Sequence, residues 1–129
     1  MPNEVEAAML TGVSTDSIEG AAEAARCLLK LGPSDVVITL GGRGCLWVNA
    51  EAVHHVPAFA VKPVDTTGAG DAFVGALAAA LARGMAMPEA LLRANAAGAL
   101  AATRFGAMPS MPLESAVDQF VAEHQDPNR

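Results

Sequence analysis

The stretch Asp65-Thr66-Thr67-Gly68-Ala69-Gly70-Asp71 leads directly into an Ala-rich helical pattern. Its two closely spaced glycines let the backbone approach a ligand, and the first N–H groups of a helix are unpaired and point outward. With the partial positive charge of the helix dipole, these donors favour an anion site that needs no Lys or Arg. Asp71 would place a carboxylate beside that site, where it could receive a proton or orient a hydroxyl. The alternative is a glycine-rich turn in which Asp71 only caps the helix.

The composition excludes several classes of partner. The chain has 129 residues and a net charge of −6, with 8 basic and 14 acidic residues and no cluster of Lys and Arg, so we expect neither nucleic acid nor an anionic membrane as a partner. Its longest apolar stretch, Ala72 to Ala82, is too short to span a membrane. No export signal is recognisable, and Cys27 and Cys45 lack metal-ligand spacing, so we expect reduced thiols and a cytoplasmic location.

The first half of the chain shows two helical patterns followed by strands. We expect a helix from Asn3 to Thr11, with an apolar face at Val5, Met9 and Leu10. Asp16 and Glu19 are spaced as a capping pair for a second helix. The apolar run Val36 to Leu40 predicts a strand covered on both faces, and Cys45 to Val48 and Val53 to Val56 predict an antiparallel pair.

The second half is mainly helical. Phe59 to Val64 is strand-like, and the helix after Asp71 should end at Gly84. Pro88 suits the first turn of another helix, which should run to about Thr103. A last amphipathic helix precedes a polar tail, 125–129, that we expect to be disordered.

Four motifs resemble, in order, those of the ribokinase family, the carbohydrate kinases also called the PfkB family. Asp65 to Asp71 is similar to its C-terminal signature, and Thr39-Leu40-Gly41-Gly42-Arg43-Gly44 resembles its nucleotide-binding turn. Asn3-Glu4-Val5-Glu6 resembles its N-x-x-E motif, and the loop Gly106 to Pro112 resembles the one after its adenine-site helix. The resemblance implies an α/β fold, the C-terminal portion of a ribokinase-like three-layer α/β/α (Rossmann-like) sheet with an antiparallel β pair. The chain contains neither the G-x-G-x-x-G fingerprint of a dinucleotide-binding domain nor a Walker P-loop.

The resemblance also implies a catalytic role for Asp71. It would be the base that accepts the proton of the sugar hydroxyl attacking the γ-phosphate of ATP. The anion hole for that phosphate would comprise Gly68, Ala69 and Gly70. The residues matching nucleotide-binding positions are Asn3, Thr39, Gly41, Gly42, Arg43, Gly44, Gly70, Asp71 and Asn95.

Several of these positions have a structural alternative. Asn3 and Glu6 also fit a capping box, the glycines fit a tight hairpin, and Asn95 could be a satisfied core residue. By resemblance, Glu6 would hold Mg²⁺ through water. A monovalent cation, K⁺, would be bound at positions whose ligands are mostly carbonyl oxygens: Asp65, Thr67, Ala101, Arg104, Gly106 and Ser110.

Members of the family are about twice as long or longer, and their N-terminal half carries the sugar site. We therefore expect this chain to represent the C-terminal nucleotide-binding and catalytic part of a kinase that phosphorylates a sugar, with D-ribose to ribose 5-phosphate as the expected reaction. Fructose, a nucleoside and 2-keto-3-deoxygluconate stay open as acceptors. The alternative is a catalytically inactive module that binds a nucleotide or associates with itself, for example as a homodimer through an exposed sheet edge.

Overall fold

The computed structural model describes residues 1–103 and 112–125. The chain forms two compact units, Met1–Pro57 and Ala58–Arg129. Within the described ranges, no helix is long and apolar enough to cross a membrane.

The first unit opens with two helices. Helix α1 (Glu4–Thr11) begins after Asn3 and ends at Gly12, whose φ of 74° is left-handed, so the predicted first helix is confirmed. Helix α2 (Ile18–Leu29) is capped by Ser17, whose side chain accepts a hydrogen bond from the Gly20 N–H at 3.0 Å. The predicted cap at Asp16 was therefore wrong by one residue, because the extended backbone at Ser17 aims its hydroxyl at the first turn.

The same unit contains a sheet of three antiparallel strands in the order β1 (Asp35–Thr39), β2 (Cys45–Asn49) and β3 (Val53–Val56). The predicted β2–β3 pair is confirmed, and β1 joins it with Ile38 opposite Leu46. Side chains from one face of β1 and β2 pack against the alanines of α2 and form a buried core with them. The apolar residues of that face are Val36, Ile38, Leu46 and Val48, and Leu40, which directly follows β1, belongs to the same core.

The second unit is helical, with α3 (Ala69–Ala82), α4 (Met87–Ala102) and α5 (Glu114–Gln125). Helix α4 packs against both α3 and α5. Small side chains make up most of the buried cluster in this unit: Ala72, Ala96, Ala97 and Ala101 with Val117. The predicted helices are thus confirmed, and the high Ala content lets their backbones pack closely.

The segment from Phe59 to Val64 does not form a strand, so this prediction was wrong. Pro63 has no N–H to donate to a ladder, and the N–H of Val64 donates to the carbonyl of Ala102 at 2.8 Å. Phe59 packs edge-on against Phe120 of α5, with ring centroids 5.0 Å apart. Tertiary packing therefore replaces strand pairing in this segment. Of the predicted disordered tail, only Gln125 is described, as the last residue of α5, and 126–129 lie outside the described residues.

Candidate active site

The N-terminus of α3 is built on a glycine. Gly68 occupies the cap position with a left-handed φ of 83°, which an L side chain rarely adopts. In the part of the chain that the structure describes, no side chain caps the helix there. The first hydrogen bond of the helix runs from the Ala72 N–H to the Gly68 carbonyl, at 2.9 Å. The glycine therefore turns the chain into α3 without supplying a side-chain oxygen of its own to the first N–H groups.

Two N–H groups in the first turn of α3 are available to a ligand. The Ala69 N–H donates to the Thr66 carbonyl at 3.1 Å. Gly70 and Asp71 follow it, and among the residues that the structure describes neither of their N–H groups has an acceptor. With the positive end of the helix dipole, these two donors suit a phosphate oxygen. The predicted contribution of Ala69 to the anion hole stays a prediction, since its N–H has an acceptor within the chain.

The Asp71 carboxylate stands at the third position of α3 and is exposed. It lies at the edge of a cavity of about 240 Å³ between the three helices of the second unit. The other lining residues are mostly small and include Gly75, Ala79 and Ala97. An accessible carboxylate is thus placed next to the two free N–H donors, as a base acting on a hydroxyl beside a bound phosphate requires.

The loop before α3 is fixed to the end of α4. The Thr67 N–H donates to Oδ1 of Asp65 at 2.9 Å, and the N–H groups of Val64 and Asp65 both donate to the Ala102 carbonyl. Three residues of the predicted cation site, Asp65, Thr67 and Ala101, are therefore found where this loop meets α4. The other three predicted positions, Arg104, Gly106 and Ser110, lie outside the described residues.

Asn95, the predicted adenine neighbour, is buried on α4 with 7% of its surface exposed. It already has an interaction within the chain. Its burial suits the satisfied core residue that the sequence left open, and contact with adenine stays a prediction.

In the first unit, Asn3 and Glu6 form a complete capping box. The Glu6 N–H donates to Oδ1 of Asn3 at 2.8 Å, and the Asn3 N–H donates to Oε1 of Glu6 at 2.9 Å. The structural alternative for this motif is therefore realised. The box uses the single side-chain oxygen of Asn3 and Oε1 of Glu6. Within the described part of the chain, Oε2 of Glu6 receives no hydrogen bond, so it could accept one from a metal-bound water.

The start of α1 lies beside the predicted nucleotide turn. Asn3 and Thr39 form a parallel bridge, with the Thr39 N–H donating to the Pro2 carbonyl at 3.1 Å. After Thr39, the chain makes one turn of 3₁₀ helix, Gly41–Arg43, in which Gly41 has a φ of 59° and the following Gly44 a φ of 93°. Two of the three glycines are thus required by backbone conformation. The structure brings Asn3, Thr39 and the turn together, as the resemblance of their motifs to nucleotide-binding motifs implied.

The guanidinium of Arg43 is engaged within the protein. It donates to the carbonyls of Thr15 and Asp16, both at 3.0 Å, and forms an ion pair with Glu4. Sequence reasoning missed these partners, which lie far from Arg43 along the chain, and no local spacing signals them. A contact between Arg43 and a nucleotide stays a prediction.

The described residues, 1–103 and 112–125, contain no group of three or more His, Cys, Asp or Glu side chains that could hold a metal ion. A single carboxylate such as Glu6 fits Mg²⁺ that keeps most of its water and is bound largely by substrate phosphates. The Glu6 carboxylate therefore fits a magnesium ion that is bound mainly by the phosphates of a nucleotide.

Comparison with known proteins identifies the family. The model of the pfkB family carbohydrate kinases matches residues 1–114, a span that includes α1, the nucleotide turn and the N-terminus of α3. The chain belongs to the pfkB family of carbohydrate kinases. The resemblance carried by the sequence motifs is thereby confirmed.

Among its relatives, the chain is 46% identical over 116 residues to the ribokinase of Mus musculus, covering 87% of this chain and 36% of the mouse protein. It is 37% identical over 120 residues to the deoxyribokinase of Salmonella typhi, covering 93% of this chain and 38% of that protein. A structure of Arabidopsis thaliana ribokinase complexed with ribose and ATP superimposes with a TM-score of 0.87 at 38% identity, over 93% of this chain and 39% of the plant chain. The predicted ribokinase-like α/β fold is confirmed, and this pfkB chain spans less than two fifths of the length of these relatives.

Proposed function

We propose that this chain is the nucleotide-binding and catalytic-base part of an ATP-dependent sugar kinase. The observation that carries the proposal is the start of α3. There the N–H groups of Gly70 and Asp71 have no acceptor among the described residues and lie beside an exposed carboxylate. These groups suit phosphoryl transfer, which relies on positioning and on stabilising charge at the transferred group.

In the proposed reaction, the Asp71 carboxylate accepts the proton of the sugar hydroxyl as its oxygen attacks the γ-phosphorus of ATP. A new P–O bond forms, the bond to the β–γ bridging oxygen breaks, and ADP leaves with that electron pair. The Gly70 and Asp71 N–H groups hold the phosphate oxygens, with Gly68 and Ala69 completing the anion hole. Phosphoryl transfer depends mainly on positioning and on late proton acceptance, so a carboxylate held beside the attacking hydroxyl can serve as the base.

The rest of the nucleotide site is proposed from the first unit and from α4. Asn3, Thr39 and the turn 41–44 would contact ribose and phosphates, and Asn95 would lie near the adenine. Mg²⁺ would be held by the phosphates and, through water, by Glu6. A K⁺ ion at the loop of Asp65 and Thr67 belongs to the same proposal.

D-Ribose, giving ribose 5-phosphate, is the proposed acceptor, in line with the ribokinase relatives. Deoxyribokinase is also among the relatives, and the plant fructokinase of Zea mays is 37% identical over 126 residues. Fructose, a nucleoside and 2-keto-3-deoxygluconate therefore stay as alternative acceptors. The cytoplasmic location stays a prediction.

The test is a coupled ADP-release assay with ATP, Mg²⁺ and each sugar, applied to wild-type and Asp71→Asn forms of a protein in which this chain is joined to the sugar-binding N-terminal half of a family member. We expect the variant to lose turnover and to keep ATP binding, because the amide preserves the helix start but cannot accept the proton. Glu114→Gln, at another exposed carboxylate lining the same cavity, is the matched control. Turnover by Asp71→Asn at the wild-type rate would refute the assignment of the base.

A second candidate is a self-associating nucleotide-binding module without kinase activity. Two features of the first unit favour it: β1 is an edge strand, and the residues Leu10 and Leu31 are 69% and 79% exposed beside it. ATP binding by this chain, with no phosphorylation of any of these sugars even when the family's sugar-binding half is joined to it, would support this candidate.

A further inference from the structure

We infer that Arg43 is a positioning residue for nucleotide binding: its guanidinium holds the glycine turn 41–44 against the start of α1 and the loop before α2. The inference rests on the proposed function, because it concerns the turn that would contact the nucleotide.

The partners of the guanidinium come from two separate segments. Nη1 donates to the Asp16 carbonyl and Nη2 donates to the Thr15 carbonyl, each at 3.0 Å, and both carbonyls belong to the loop before α2. Nη2 also pairs with the carboxylate of Glu4 in the first turn of α1. A planar guanidinium with several N–H groups in fixed directions can serve all three acceptors at once, which a lysine ammonium at the same position would do less well.

The backbone of Arg43 is also held in place, by a residue that comes later in the sequence. The Arg43 carbonyl lies 2.7 Å from Nε2 of His55 on β3, and the Gly44 N–H donates to the Gly41 carbonyl at 3.1 Å. The turn is thus fixed through Arg43 both to the helices and to the sheet of the first unit. His55 donates here if its Nε2 carries the proton.

A turn with three glycines in four residues needs such anchoring. Glycine has more backbone freedom to lose than any other residue, so an unanchored turn would sample many conformations before it bound a ligand. Binding a ligand to a disordered turn costs the free energy of ordering it, whereas a fixed turn binds without this cost. The anchors of Arg43 therefore favour tight binding by the backbone of 41–44.

The anchors also set where the turn lies. Glu4 belongs to the same helical turn as Glu6, and Asn3 is bridged to Thr39 just before the glycines. The ion pair between Arg43 and Glu4 adds a second link between the turn 41–44 and the start of α1. The two segments proposed to contact phosphate are therefore held at a fixed distance from each other. The positive charge of Arg43 is matched by Glu4, so the side chain acts on the turn rather than on the nucleotide.

The test compares Arg43→Gln with Arg26→Gln, a matched control that pairs with Glu23 on the exposed surface of α2. ATP binding with Mg²⁺ is measured by titration calorimetry, and exchange of the Leu40 and Gly44 amide hydrogens is measured by NMR. We expect Arg43→Gln to raise the dissociation constant about tenfold, equivalent to about 1.4 kcal/mol, and to speed exchange of both amides, with Arg26→Gln unchanged. Arg43→Lys should restore part of the affinity.

Three outcomes would overturn the inference. Unchanged affinity in Arg43→Gln would show that the turn needs no anchor, and weaker binding with unchanged amide exchange would show a direct contact with the nucleotide. If amide exchange in Arg43→Gln equals that of the wild type, and the wild type itself binds no ATP, both this inference and the proposed function are contradicted. Faster exchange in Arg43→Gln without any wild-type binding would support the anchoring and count against the proposed function alone.

Discussion

Asn3 and Glu6 each accept a hydrogen bond from the other's backbone N–H, at 2.8 and 2.9 Å, across the first turn of α1. The same two residues are the ones that match the N-x-x-E motif of the pfkB family. The box uses Oδ1 of Asn3 and Oε1 of Glu6, so Nδ2 of Asn3 can still donate to a phosphate and Oε2 of Glu6 can still accept from a magnesium-bound water. The two roles can be separated by substitutions that preserve one and remove the other.

Replacing Asn3 by Ala should destabilise the chain by about 1 kcal/mol, because the Glu6 N–H loses its acceptor. Asn3→Asp keeps an acceptor at the cap and adds negative charge at the helix N-terminus, so it should be nearly as stable as the wild type. Urea unfolding followed by circular dichroism measures both. Equal stability of Asn3→Ala and the wild type would contradict the importance of the box.

Glu6→Gln should weaken ATP binding in the presence of Mg²⁺ while leaving stability within about 0.5 kcal/mol, because Gln also completes a capping box but carries no charge for a magnesium-bound water. Titration with and without Mg²⁺ measures the effect. ATP binding without the metal should be nearly unchanged. If the magnesium-dependent gain in affinity were the same in Glu6→Gln and the wild type, Glu6 would not contribute to metal binding.

Two glycines of α3 should respond in opposite directions to alanine. Gly68→Ala should destabilise the chain by about 1 kcal/mol or more, because its φ of 83° is left-handed. Gly75→Ala should stabilise it by about 0.5–1 kcal/mol, since the site is helical and, among the described residues, no atom outside the adjoining backbone of α3 lies within 4 Å of the added Cβ. Thermal unfolding of the two variants checks the pair. A stabilising Gly68→Ala would show that α3 does not begin as described.

The chain should associate with itself through the surface near β1. Leu10, Leu31 and Met1 line a groove of about 400 Å³ there, next to the outer edge of this strand. Leu31→Lys should lower the mass found by light scattering, because a charge on the groove opposes apolar contact. Leu113→Lys, at a leucine of the second unit that is 75% exposed, is the control. A wild type that is monomeric at every concentration would contradict this expectation.

Local patterns predicted most elements of the fold. The helix from Asn3 and the helix after Asp71 were clear because a capping residue, regular apolar spacing and a terminal glycine agreed. The cap of α2 was misplaced because Asp16 and Ser17 are both good caps, and only the backbone conformation distinguishes them. The residues Val5, Met9 and Leu10 form the predicted apolar face of α1, but all three are exposed, with Met9 at 81%. A local pattern shows which side is apolar and not whether anything covers it.

The site was predictable where its chemistry depends on the backbone. Glycines at 68, 41 and 44 signalled special conformations, and each has a positive φ. The Ala69 N–H donates to Thr66 in a local turn whose geometry the glycine spacing alone does not determine. The partners of Arg43 depend on tertiary contacts, which no spacing in the sequence encodes. Phe59 shows the same limit, since its packing on Phe120 decides against the strand.

Titration of this chain with ATP and Mg²⁺ tests the central claim most directly. The proposed anion site and nucleotide turn predict saturable binding of one ATP per chain. Removal of Mg²⁺ should weaken this binding, and substitution of Arg26 should not abolish it. Absence of saturable binding at millimolar ATP, from a chain shown to be folded by circular dichroism, would contradict the account.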